Sequence, residues 1–109
     1  MAARSGLRDW VIQRFTAVFL AAYTLFLFVF IIKHPHFAYE DWQALFSYRV
    51  MQLSTLFALI CMASHAWIGL WTVLTDYVKS VAMRYLLQAF IILALFVYVI
   101  WGIFILWGN

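Results

Sequence analysis

The stretch MQLSTLFALICMASHAWIGLWTVLTDYVK, residues 51–79, decides the fold. From position 51 to position 75 it holds no Lys, Arg, Asp or Glu, then closes on Thr75-Asp76-Tyr77-Val78-Lys79. A helix rises 1.5 Å per residue, so roughly 20 apolar residues cross about 30 Å of hydrocarbon. Within that run stands His65, and ionisable side chains at membrane depth are rare, face a bundle interior and mark candidate functional sites.

Two further runs have the same character. Residues 15–32 and 85–107 provide 18 and 23 uncharged positions, beside the 25 of the central run. The 109-residue chain is 69% apolar and 10% charged, against about 50% and 25% in a soluble domain. The expected fold is all-α, an integral membrane protein with three transmembrane helices over about 11–33, 50–75 and 82–107. A single domain, 1–109, is expected, with no room for a separate soluble catalytic domain. Chemistry needing a large aqueous pocket would have to come from partner chains.

The charges give an orientation. Arg4, Arg8, Arg14, Lys79 and Arg84 fall on one side, and Lys33 and Arg49 on the other. By the positive-inside rule the N-terminus and the second connection face the cytoplasm and the C-terminus lies outside. The first apolar run is long and has no Ala-x-Ala cleavage site, so it reads as a retained helix rather than a secretory signal. No nucleic-acid partner is expected.

Between the first two spans, Pro35 in His34-Pro35-His36 should stop the first helix at His34. Asp41 or Glu40 should start a short surface helix through Trp42, Leu45 and Phe46. Trp10, Trp42, Trp71, Trp101 and Trp107, with Tyr39, Tyr48, Tyr77 and Tyr85, lie mostly near span ends, as aromatic belts do. His34 and His36 read as solvated loop residues. The lone Cys61 reads as a small packing residue with no intrachain disulfide partner.

On a helical wheel, Ser54, Ala58, Cys61, His65, Gly69, Thr72 and Asp76 fall within about 40° of one line. All are small or polar. The opposite side carries Leu56, Leu59, Ile60, Ala63, Trp67, Leu70 and Leu74, suited to lipid or apolar packing. A small-residue face with one ring nitrogen suits a flat prosthetic group, with Gly69 leaving space beside a porphyrin edge or a neighbouring helix. The same residues also suit an interhelical hydrogen bond from His65 with close helix packing, and spacing leaves both readings open. A six-coordinate haem would need its second ligand from another polypeptide or a second copy.

The run from Ser64 to Lys79, with His65, ten residues and then Asp76-Tyr77, resembles the hydrophobic membrane anchor of succinate dehydrogenase, the cytochrome b556 chain of bacterial complex II. The likeness extends to Gly6-Leu7-Arg8-Asp9-Trp10, to Arg14 and to the third span. It departs at Ser80, where the enterobacterial pattern has proline, which bears on the geometry of the turn.

The resemblance implies that His65 is an axial ligand to the iron of haem b, shared with a sister anchor subunit that provides the other histidine. It implies that Tyr77 donates a hydrogen bond to a ubiquinone carbonyl, with Asp76 supporting the quinone pocket by pairing an arginine of the sister anchor. Arg14 would pair a haem propionate or border the quinone site, and Lys79 and Arg84 would set topology and approach the iron-sulfur subunit. Implied partners are the sister anchor, the iron-sulfur protein and the flavoprotein of the complex in the bacterial inner membrane, grouped as single complexes or trimers. The chain would not oxidise succinate itself but would contribute to quinone reduction. The alternatives are a fumarate reductase anchor and a haem-free membrane interaction or assembly protein.

Overall fold

The computed structural model describes residues 3–108, with side chains described from Gly6 onward. The charge assigned to Arg4 lies outside the described side chains. The helices are α1 Ala3–Ile32, α2 Tyr39–Leu45, α3 Arg49–Tyr77 and α4 Val81–Trp107. Three of them, α1, α3 and α4, are long and apolar enough to cross a membrane.

The helix α1 begins well before position 11, where the apolar pattern places its start. Hydrophobic patterning marks only the part of a helix that meets hydrocarbon, whereas backbone hydrogen bonding continues through the polar turn holding Arg8 and Asp9. At its other end α1 stops at Ile32, where Pro35 bars a helical His34. His34 is not a solvated loop residue. It is half-buried, its Nδ1–H donates to Phe30 O at 2.8 Å, and its ring lies 4.2 Å from that of Phe30. The imidazole thus caps a carbonyl left unpaired at the helix end, while His36 is exposed.

Asp41 explains α2, because its Oδ2 accepts from the Ala38 backbone N–H at 3.0 Å. Trp42 then meets Phe46 at a tilt and Phe37 edge-on, at 4.7 and 5.9 Å.

The central helix is α3, with α1 on one side and α4 on the other. At 29 residues it is about 43 Å long, enough to cross hydrocarbon and both interfaces. Phe57 takes the rings of Phe15 and Phe19 edge-on at 6.1 and 4.7 Å, and the Thr55 hydroxyl meets that of Tyr23 at 2.5 Å. Phe57 and Thr55 flank the small-residue face, so that face receives α1, and Ala58 and Cys61 are buried there at 6% and 3% exposure. The continuous groove suggested by the wheel is therefore filled along this half by the protein's own first helix. Small side chains let helix backbones approach closely, and α1 takes that opportunity.

The opposite face of α3 packs on α4, through Leu59 against Gly102 and through Trp107 Nε1 donating to Gln52 Oε1 at 3.0 Å. Leu74, toward the other end of α3, is buried. The turn between α3 and α4 is only Val78-Lys79-Ser80. Ser80 caps α4 by accepting from the Met83 N–H at 3.3 Å, and Arg84 Nε donates back to Val78 O at 3.4 Å. Serine thus fits the position where the resembling pattern has proline, since an N-cap hydroxyl satisfies a backbone donor that the first turn leaves free. The α4 helix has no buried residue, and large apolar side chains cover it from Val81 to Trp107.

Candidate functional site

A cleft of about 750 Å³ opens between the N-terminal half of α1 and the C-terminal half of α3. The first contributes Asp9, Gln13 and Arg14; the second contributes His65, Gly69 and Asp76. Three residues singled out from the sequence, His65, Asp76 and Arg14, thus face one space although they are up to 62 positions apart. They converge because antiparallel packing sets the beginning of α1 beside the end of α3. The electrostatics are mixed: Asp9 and Asp76 are negative and Arg14 positive, with the Arg14 guanidinium 5.2 Å from the Trp10 ring centroid. At that distance the aromatic face attracts the cation, and both side chains line the cleft.

His65 is half-buried at the inner end of the cleft. Its Nδ1 lies 3.0 Å from Thr16 Oγ1, and Thr16 is 4% exposed. Hydrogen bonds between membrane helices average only about 0.6 kcal/mol and reach about 1.7 kcal/mol. The Thr16 contact is therefore a weak clamp on the bundle, and its larger effect is to fix the direction of the ring. Among the described residues, Nε2 has no hydrogen-bond partner in the protein.

The donor set bears on what could occupy this place. Among the described residues no three His, Cys, Asp or Glu side chains come together, so this chain presents one imidazole and no cage for a bare ion. One imidazole with a free ring nitrogen fits a haem iron that takes a further ligand from elsewhere. His65 would hold that iron, and Arg14 carries the charge that suits a propionate.

Tyr77 behaves differently. It ends α3 at 78% exposure and does not line the cleft, because neighbouring helical residues project about 100° apart and Asp76 takes the cleft side. Its phenol faces outward from the chain. At Gly69 a Cβ would meet the neighbouring helix only at an ordinary 3.6 Å, from Gln13 Nε2. The close approach between helices is at Gly102, where a Cβ would come within 2.5 Å of Leu59 Cδ1.

Thr16 and Gln13 carry no signal in the sequence pattern. Among the described residues, Gln13 Oε1 is buried without a hydrogen-bond partner, at the wall of the cleft. Thr16 could have been found from the need itself: a histidine at membrane depth requires a polar neighbour, and few side chains in the first span offer one.

Comparison with known proteins accords with this architecture. Residues 1–104 match the family described as succinate dehydrogenase/fumarate reductase transmembrane subunit. A curated relative from Coxiella burnetii (strain RSA 493 / Nine Mile phase I), named succinate dehydrogenase hydrophobic membrane anchor subunit, is 42% identical over 105 residues. That alignment covers 96% of this chain and 91% of the relative. A three-span helical bundle matched over nearly its whole length leaves one assignment: the chain belongs to the succinate dehydrogenase/fumarate reductase transmembrane subunit family.

Proposed function

We propose that this chain is a membrane anchor of a succinate:ubiquinone oxidoreductase. In this reading it joins a sister anchor to hold the iron-sulfur protein and the flavoprotein at the bacterial inner membrane. It shares a b-type haem with that sister anchor and borders the site where ubiquinone is reduced. The observation that carries the reading is the meeting of His65, Arg14 and Asp76 at one cleft. Family membership and the name of the Coxiella relative support it.

The residues divide the work. His65 would hold the haem iron, and Arg14 would offset a propionate or border the quinone. When bound, the haem supplies a one-electron couple inside the membrane. Reduction of ubiquinone adds two electrons and two protons, converting its two carbonyls to hydroxyls. The Tyr77 O–H donates to a quinone carbonyl, and a neutral phenol does so without placing a fixed charge where an apolar ligand must enter. Asp76 orients the pocket through an arginine of the sister anchor.

Because Tyr77 faces away from the cleft, a quinone touching it must be enclosed on its far side by another chain of the complex. The end of the bundle with Arg8, Arg14, Lys79 and Arg84 is cytoplasmic by the positive-inside rule. Electrons from the iron-sulfur protein would arrive there. The family description also admits a fumarate reductase anchor, which would run the quinone chemistry in the opposite direction.

Deleting the chain in its host tests the anchoring role. Succinate oxidation with an artificial dye should move to the soluble fraction while succinate-dependent ubiquinone reduction in membranes disappears. Membranes that keep both activities would contradict the proposal.

A further inference from the structure

We infer that Thr16 is a positioning residue for His65, fixing the imidazole proton on Nδ1 so that the Nε2 lone pair is free for a metal. The inference rests on the haem reading above but concerns a different residue, one supplied by another helix.

Thr16 Oγ1 lies 2.7 Å from Ile12 O, 3.2 Å from Gln13 O and 3.0 Å from His65 Nδ1. A hydroxyl has one proton and two lone pairs, and a carbonyl can only accept. The shortest of the three contacts is to Ile12 O, one turn back along α1, and it takes the hydroxyl proton. Gln13 O, also an acceptor, can at most share that proton, and the contact to His65 is then satisfied only if Nδ1–H donates to Oγ1. Thr16 is 4% exposed, so water does not compete for its lone pairs.

In a neutral imidazole only one nitrogen bears a proton, and the partner of one decides the state of the other. With Nδ1 protonated, Nε2 is a bare lone pair. The opposite tautomer would leave a proton on Nε2 and block coordination. An acceptor behind Nδ1–H also makes the ring a more basic ligand and holds its plane, as outer partners of ligating histidines do. A more basic ligand favours the ferric over the ferrous state, so the contact lowers the haem potential.

The test uses the complete membrane complex, purified with Thr16→Val, Thr16→Ser and Thr16→Cys. The readouts are haem content by pyridine haemochrome and the haem midpoint potential by redox titration. Valine keeps the shape and removes the acceptor; the expected results are a raised potential and haem affinity about 10- to 100-fold weaker. Serine should restore both toward wild type. Cysteine, a weaker acceptor, should shift the potential the same way by less, and carries the test if the valine variant does not assemble. Haem retained at the wild-type potential in the valine and cysteine variants would overturn the inference alone. So would a serine variant that behaves like valine, since the methyl and not the hydroxyl would then matter. A wild-type complex without haem would overturn the cofactor reading and this inference together.

Discussion

Gly102 of α4 lies against the end of the Leu59 side chain of α3, so closely that a methyl group at Gly102 would stand 2.5 Å from Leu59 Cδ1. The missing side chain lets the outermost helix sit on the central one. Gly102→Ala should lower the stability of the purified complex by about 1–3 kcal/mol, the usual cost of overpacking. A Leu59→Ala background removes the Cδ1 and Cδ2 that the new methyl would meet, so the same substitution there should cost much less. Thermal unfolding of the two single variants and the double variant checks this coupling, and additive effects would dissociate the pair.

Ser80 makes a second local prediction. Its Oγ caps Met83 N–H at the start of α4, so Ser80→Ala should cost about 0.5–2 kcal/mol. Ser80→Asp, which retains an acceptor, should cost little. Hydrogen exchange at the first turn of α4 should quicken in the alanine variant and stay slow in the aspartate one. Equal protection in both would show that the cap contributes nothing there.

For the quinone, Tyr77→Phe should leave assembly and haem content intact and slow succinate-dependent ubiquinone reduction, because the ring stays while the donor is lost. The phenol is exposed at the end of α3, so the substitution leaves packing within this chain nearly unchanged. Wild-type quinone kinetics in the variant would take Tyr77 out of the site.

Orientation is open to a direct check. A reporter active only outside the cytoplasm, fused after Lys79, should be silent, and one fused after the last helix should be active. A strong signal after Lys79 would invert the assignment made from the arginine-rich end.

The three spans were legible because hydrocarbon thickness forces long uncharged runs, and residues 51–75 leave little choice. The start of α1 was not legible: once the chain leaves the apolar layer, composition no longer marks where helical hydrogen bonding ends. Of the candidate site, the meeting of His65 with Asp76 on one face followed from the 3.6-residue period, and Arg14 joined them through antiparallel packing. What remained hidden was pairwise. The wheel placed Ala58 and Cys61 in a line but could not say that α1 would occupy it. It did not mark Gly102, where the tight contact between helices lies. It also gave His65 a need for a partner without naming Thr16, because which residue of a neighbouring helix stands opposite depends on axial register, and a single-helix pattern does not encode register.

The imidazole within the second span is proposed to bind haem iron. The direct measurement is haem content per complex by pyridine haemochrome, for the wild type and for His65→Ala. A wild-type complex with stoichiometric b-type haem that is lost or strongly depleted in the alanine variant is the expected result. An assembled complex with no haem, or with haem and its spectrum unchanged by His65→Ala, would contradict it.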